Sequence, residues 1–186
     1  RILSAQSLGL SRQQVSSAAL RTCEELQHAG YSAYIVGGGV RDLLLGRAPK
    51  DFDVATDASP EAVQSLFRRA RIIGRRFRIV HVMFGRETIE VTTFRADAYE
   101  PGSCKPVVAF GERIEEDLVR RDFTVNAMAV DVVAGEFVDP WGGLRDLADG
   151  VLRTPAPAEV SFSDDPLRML RAARFASRLG FRVAPE

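Results

Sequence analysis

The chain has 186 residues, enough to bury one sizeable core with little left for a second full domain. Its 25 lysines and arginines balance 25 aspartates and glutamates, so no global charge attracts a polyanion and any such attraction must be local. Cys23 and Cys104 have neither metal nor redox spacing, no apolar run is long enough to span a bilayer, and no secretory signal is visible, so a reducing compartment, the cytoplasm, is the expected location.

From the N-terminus, Ser11 to Gly30 reads as an amphipathic helix, opened by Ser11 and ended at Gly30. Ser32 to Val36 reads as a short buried strand. Gly37, Gly38 and Gly39 let the backbone turn sharply and approach a ligand, and Val40 to Leu45 follows as a short helix closed by Gly46. Amides at that turn and the charge of Arg41 suit an anion; an ordinary strand-to-helix turn accounts for the same residues. The dinucleotide fingerprint fails, since its third glycine would fall at Asp42, and a Walker loop fails because no Gly-Lys-Ser/Thr follows.

Phe52 to Thr56 looks strand-like, which puts Asp51 and Asp53 on one face. Two hard oxygen ligands with room for water and phosphate suit magnesium. A lone Asp-x-Asp is more commonly a solvated strand end; its place just after a phosphate-type turn favours metal. Pro60 to Arg69 reads as a helix. Arg68, Arg69, Arg71, Arg75, Arg76 and Arg78 then crowd around Ile72-Ile73-Gly74, either as a helix end with an exposed loop or as a surface for RNA phosphates. His81 has no partner histidine nearby and reads as structural. In the strand Thr88 to Phe94, Ile89 and Val91 alternate with Glu90, which lets an adjacent strand bring Glu90 beside Asp51 and Asp53. Three converging acids make a two-metal phosphoryl-transfer site.

Asp97 to Pro106 reads as a mobile loop, and Val107 to Phe110 and Glu136 to Pro140 as strand or turn. Arg120 and Arg121 follow Glu115-Glu116-Asp117, which suits a structural ion-pair network as well as a triphosphate site for Arg121. Asp122 can orient an arginine, Asn126 can tie two segments together, and Thr124 to Val130 looks buried. Phe162 to Pro166 looks like a helix start. Arg168, Arg171, Arg174 and Arg178 then share one helix face, either a nucleotide-binding or a solvated surface, with Leu167, Leu170 and Phe175 available for the packed side. An ionised Asp165 only accepts hydrogen bonds and Arg168 only donates them. The pair can therefore match the exocyclic amine and adjacent ring acceptor of adenine or cytosine, and reject uracil and guanine.

In order, the chain carries Gly-Gly-x-Val-Arg-Asp-x-Leu-Leu-Gly, Asp-Phe-Asp-Val-Ala-Thr, Ile-Glu-Val-Thr-Thr-Phe-Arg, Arg-Arg-Asp-Phe-Thr-Val-Asn-Ala and Asp-Pro-Leu-Arg-Met-Leu-Arg-Ala-Ala-Arg-Phe. From about Tyr31 onward it resembles the class II tRNA nucleotidyltransferase and bacterial poly(A) polymerase family. The resemblance implies an α/β (α+β) fold: a polymerase-β-like head with a small mixed sheet over 31–154, preceded by a helical extension over 1–30 and followed by the start of a helical neck over 155–186. It implies template-independent addition of nucleotides to an RNA 3′ end with Mg2+, from ATP and, in the CCA-adding branch, CTP as well. Position by position, Asp51 and Asp53 match the metal-binding pair and Glu90 the third catalytic acid. Gly38, Arg41 and Arg121 match residues that hold the nucleotide, Asp165 and Arg168 the pair that reads the base, and Arg171 and Arg174 further nucleotide-binding arginines. In that family a loop at Asp97 to Pro106 helps to change nucleotide preference.

Two departures shape the expectation. The chain stops at Pro185-Glu186 where the family continues through RNA-gripping body and tail regions, so it reads as a fragment without a complete RNA site. Residues 1 to about 91, with Ile73 to Gly85, resemble poly(A) polymerases, whereas Thr92 onward resembles CCA-adding enzymes, so the chain reads as a hybrid. The expected activity is AMP transfer from ATP to RNA, with CCA addition as one alternative and a non-catalytic nucleotide- or RNA-binding module as another; no membrane partner is expected.

Overall fold

The computed structural model describes residues 2–75, 78–99 and 106–185, with only the backbone of 96–99 and 106–109. Arg76, Cys104 and the Pro101-Gly102 part of the expected loop lie outside the described residues. In chain order the elements are β1 (Ile2–Ser4), α1 (Ser17–His28), β2 (Ala33–Val36), α2 (Gly38–Leu44), β3 (Asp53–Thr56), α3 (Pro60–Leu66), β4 (Ala70–Ile73), β5 (Ile79–Phe84) and β6 (Glu87–Thr93). They continue with β7 (Arg95–Tyr99), β8 (Pro106–Phe110), α4 (Ile114–Val119), β9 (Ala129–Asp131), β10 (Glu136–Val138), α5 (Gly143–Asp149), β11 (Val151–Leu152), α6 (Ala158–Asp164), α7 (Leu167–Leu179) and β12 (Arg182–Val183).

Eight strands form a mixed sheet in the order β1-β10-β9-β2-β3-β6-β5-β4. Within it β3 and β6 pair parallel and their neighbours antiparallel, the mixed α/β arrangement expected. One face is apolar throughout. Ile35, Val54, Val80, Val82, Ile89 and Val91 pack there against Ala19, Cys23 and Leu26 of α1 and Val63 of α3. Each large aliphatic side chain so buried contributes about 1.5–3 kcal/mol. On the other face Val36, Ala55, Ala129 and Val138 are covered by Phe94, Ile114 and Leu118. Among the described residues no helix is long and apolar enough to cross a membrane.

Several boundaries differ from the sequence reading. Ser11 closes a capping box with Gln14 on a separate 3-10 turn, and Ser16 caps α1 by accepting from the Ala19 amide, so the helix starts later than Ser11. The helix at Pro60 ends at Leu66, because Phe67 is extended and the chain enters β4. The arginine-rich stretch thus contains an edge strand rather than only a helix end and loop. Asp97–Tyr99 and Pro106 belong to the antiparallel β7–β8 pair, so the expected loop is shorter than 97–106. Phe162 to Asp164 lie inside α6, and the new helix starts only after Pro166, with Asp165 accepting from the Leu167 amide.

Candidate active site

Parallel pairing places Asp53 directly beside Glu90. Both point away from the apolar face, because Val54 on β3 and Val91 on β6 alternate with them into the core. Asp51 stands exposed just before β3. The Asp53 carboxyl is pushed above its ordinary range, first by burial, then by the charge of Glu90; Arg121 opposes the shift and Asp51 adds to it.

The glycine turn adjoins these acids through register, Val36 standing beside Asp53. Gly37 has φ of 75° and ψ of −142°, a conformation open to glycine alone. A Cβ built there would lie 3.1 Å from Arg121 Nη1 and 3.7 Å from Asp53 Oδ2. Arg121 is therefore packed against the bare backbone of the turn and faces Asp53. It is steadied by Asp117, to which its Nη2 donates at 2.9 Å. Burial lowers the Arg95 pKa from its ordinary value, and Arg95 feels the charges of Asp117, Arg120 and Arg121, so it stands near this pair. Arg95 was not singled out from the sequence.

Among the described residues no group of three or more His, Cys, Asp or Glu side chains stands close enough to form a metal cage. The donor chemistry nevertheless fits a hard cation. These are oxygen donors, one of them raised in pKa by two neighbouring acids, and magnesium commonly takes one or two carboxylates while keeping waters and phosphate oxygens.

A second group of expected residues gathers at α7. Asp165 and Arg168 stand 4.0 Å apart, and Arg168 donates to Ser161 Oγ at 2.6 Å and to the Arg120 carbonyl at 2.5 Å. Arg171 donates to Asp122 at 2.8 Å through Nε. Asp122 also accepts from the Phe123 amide and from Asn126 Nδ2. Asn126 in turn accepts from Arg41 Nη1 at 2.7 Å. Arg41 is buried, paired with Asp42 at 2.7 Å, and lies over the Phe175 ring, as do Arg171 and Arg174. Gly38 sits at the start of α2 against the Arg41 guanidinium.

The expected residues therefore form two clusters. Asp53, Glu90 and Arg121 adjoin one another, with Asp51 near enough to act on the Asp53 charge, while Arg41, Arg171 and Arg174 surround Phe175. Residues 120–126 join the clusters, with Arg168 docked on the Arg120 carbonyl and Asp165 beside it. The packed side of α7 is only in part the one expected. Leu167 and Leu170 are 64% and 70% exposed, and Phe175 packs together with Ala172. Arg168 and Arg171 reach the head because the Arg120 carbonyl and the Asp122 carboxylate offer acceptors there, while Arg174 and Arg178 are exposed. His81, expected to be structural, stands in register beside Glu90, with Nε2 3.5 Å from that carboxylate. Its alternation with Val80 and Val82 is the signal that could have shown it.

A cavity of about 370 Å3 lined by Leu10, Arg12, Ile35 and Asp131 opens on the opposite sheet face, away from these groups.

The Poly A polymerase head domain matches residues 33–153. Poly(A) polymerase I of Escherichia coli O157:H7 is 48% identical over 188 residues, covering 95% of this chain and 40% of that protein. The CCA-adding enzyme of Geobacillus stearothermophilus is 46% identical over 169 residues, covering 90% of this chain and 42% of that protein. Both kinds of relative thus align along nearly all of the chain. The crystal structure of the Bacillus stearothermophilus CCA-adding enzyme in complex with CTP superimposes with a TM-score of 0.82 at 45% identity, covering 90% of this chain and 40% of that one. The chain spans about two fifths of the length of the curated relatives it matches. It belongs to the poly(A) polymerase head-domain family, the class II nucleotidyltransferases that include bacterial poly(A) polymerases and CCA-adding enzymes.

Proposed function

We propose that the chain supplies the catalytic head of a template-independent RNA 3′-end nucleotidyltransferase that transfers AMP from ATP to RNA. The observation that carries this reading is the register pair Asp53–Glu90 at the end of the glycine turn, faced by Arg121. Asp51 and Asp53 would hold Mg2+, and Glu90 would complete the site on the primer side. A divalent cation held by these carboxylates would supply activation of the 3′-hydroxyl and charge neutralisation at the triphosphate. Arg121 and the backbone at Gly37 and Gly38 would hold the triphosphate, with Arg95 adding charge. Asp165 would accept a hydrogen bond from the base amine while Arg168 donates beside it. Arg171 and Arg174 would contribute further contacts, and Arg41 would help hold the nucleotide from beneath the turn. In this reading the head covers 31–154 and the neck begins at 155.

CCA addition is the second reading, favoured by the likeness to the CTP-bound enzyme. Equilibrium binding of ATP, CTP, GTP and UTP in Mg2+ tests both. Selective ATP binding supports AMP transfer, and equal ATP and CTP binding supports CCA addition. Failure to bind any of the four overturns the proposal. Asp53→Ala should abolish incorporation with the fold intact; normal turnover in that variant would remove the metal role.

A further inference from the structure

The sheet face that carries Asp53 is covered unevenly. Over β10, β9, β2 and β3 it lies beneath Phe94, Ile114 and Leu118. Beyond Asp53 that cover ends among the described residues, and β6, β5 and β4 present side chains to solvent. Register sets Glu90 beside Asp53, His81 beside Glu90 and Arg71 beside His81, so the four leave the same face in one row. Glu90 and Arg71 are exposed and His81 is half-buried. At about 4.8 Å per strand the row runs about 14 Å from β3 to the edge strand. That length accommodates about four stacked nucleotides at roughly 3.4 Å each.

Two residues along each strand, Ile79 stands beside Ile73, which is 46% exposed. Arg69 is exposed in the turn just before β4 and extends the pairing with β5, its carbonyl accepting from the Met83 amide at 2.9 Å. Among the described residues no carboxylate pairs with Arg69 or Arg71. The face is thus acidic at the reaction centre, cationic at the sheet edge and apolar alongside. Single-stranded nucleic acid offers the matching chemistry of phosphates that seek arginine and bases that pack on apolar surface.

We propose that this open half-sheet, from Glu90 through His81 to Arg71 and Arg69, is the track for the RNA strand behind its reactive 3′ end. The inference rests on the nucleotidyltransferase reading above. The phosphates lie on the two arginines, the bases pack against Ile79 and Ile73, and the 3′-hydroxyl points toward Glu90. The position of Glu90 at the reaction centre fixes where the 3′ end lies, and the arginines hold the phosphates behind it. With zero formal net charge on the chain, such a local patch is what draws in a polyanion.

The test is the affinity of a short fluorescent oligoadenylate for the whole chain as salt rises from about 50 to about 200 mM. It compares the wild type with Arg69→Ala/Arg71→Ala and Arg69→Lys/Arg71→Lys, and follows ATP binding in Mg2+ in parallel. Each lost phosphate contact lowers the log–log salt slope by about 0.7, so the wild type should lose about sevenfold more affinity across that range than the alanine pair. The lysine pair should keep the wild-type slope, and ATP binding should be the same in all three. An unchanged slope in the alanine pair, or no RNA binding by the wild type, overturns the track. If ATP still binds in that case, the nucleotidyltransferase reading stands; absence of ATP binding strikes that reading instead. Self-association abolished by the alanine pair, with the RNA slope unchanged, would assign the face to a second copy of the chain.

Discussion

Asp53 carries an electrostatic load that a divalent cation can relieve. Its folded-state pKa lies above its unfolded value, because burial and the Glu90 charge disfavour the carboxylate more than Arg121 favours it. The folded state therefore holds more protons, and this group's contribution to stability falls as pH rises from the unfolded value through the raised folded one. At neutral pH the ionised side chain costs stability. Asp53→Asn should raise Tm in metal-free buffer at pH 7, with the gain vanishing at a pH below both values. Mg2+ at ten times its Kd should stabilise the wild type by about 1.4 kcal/mol and leave the variant's Tm unmoved. Equal Mg2+ shifts in both proteins would place the cation elsewhere. A second residue-scale prediction concerns base choice. Asp165→Asn keeps an oxygen for the Leu167 amide but adds a donor, so discrimination against GTP and UTP should weaken in the four-nucleotide binding assay. Unchanged selectivity would remove Asp165 from the reading role. The acids were legible in the sequence because strand alternation alone sorts Asp53 and Glu90 from Val54 and Val91. The setting of Arg41 was not, since it depends on Asn126 and Phe175, which only the folded chain brings to it.

At the scale of elements, the segment 120–126 controls where α7 lies. Asp122 is buried and accepts from the Phe123 amide, Asn126 and Arg171, so it ties the helix to the head. Helical periodicity offers Leu167, Leu170 and Phe175 for packing and sets Arg168 and Arg171 on another face. Only the acceptors on the head decide between them, and those lie 48 and 49 residues away in sequence. Asp122→Ala should cost about 2 kcal/mol, because charge-assisted hydrogen bonds are lost from a buried site. Arg171→Ala should cost less, about 1 kcal/mol, because that guanidinium is nearly half exposed. Chemical denaturation of both and of the double variant measures the coupling, and additive losses would show that the ion pair does not dock α7. The same segment is supported from below by Gly143, where a Cβ would fall 2.2 Å from the Thr124 carbonyl oxygen. That atom belongs to the main chain and cannot rotate away. Gly143→Ala should therefore lose about 1–3 kcal/mol in the same experiment, and wild-type stability would show that the helix can shift without cost.

For the whole molecule, the open half of the sheet can be open only because its other face is fully packed. That packing draws on the first thirty residues, although the sequence reading sets them apart as an extension. Helical periodicity announced α1, but nothing local announces that β1 joins the far edge of the sheet by pairing with β10. Leu10, Val15 and Leu26 are buried in the main core along with Ala18, Ala19 and Cys23. At about 1.5–3 kcal/mol for each large aliphatic side chain, Leu10, Val15 and Leu26 alone contribute about 5–9 kcal/mol. A typical domain has a net stability of about 5–15 kcal/mol. A chain beginning at Tyr31 should therefore lose its cooperative thermal transition, even though it keeps Asp51, Asp53, Glu90 and every arginine of the site. The intact chain offers its own reporter. Burial pushes the Cys23 thiol up to about 12, which leaves almost no thiolate to react while α1 stays packed. Alkylation of Cys23, followed by peptide mass spectrometry, should be slow in the native chain and should accelerate in Leu26→Ala by about tenfold for each 1.4 kcal/mol of stability lost. A chain starting at Tyr31 that still melts cooperatively and binds ATP in Mg2+ would show instead that the head holds its sheet without α1, and that the first thirty residues only lean against it.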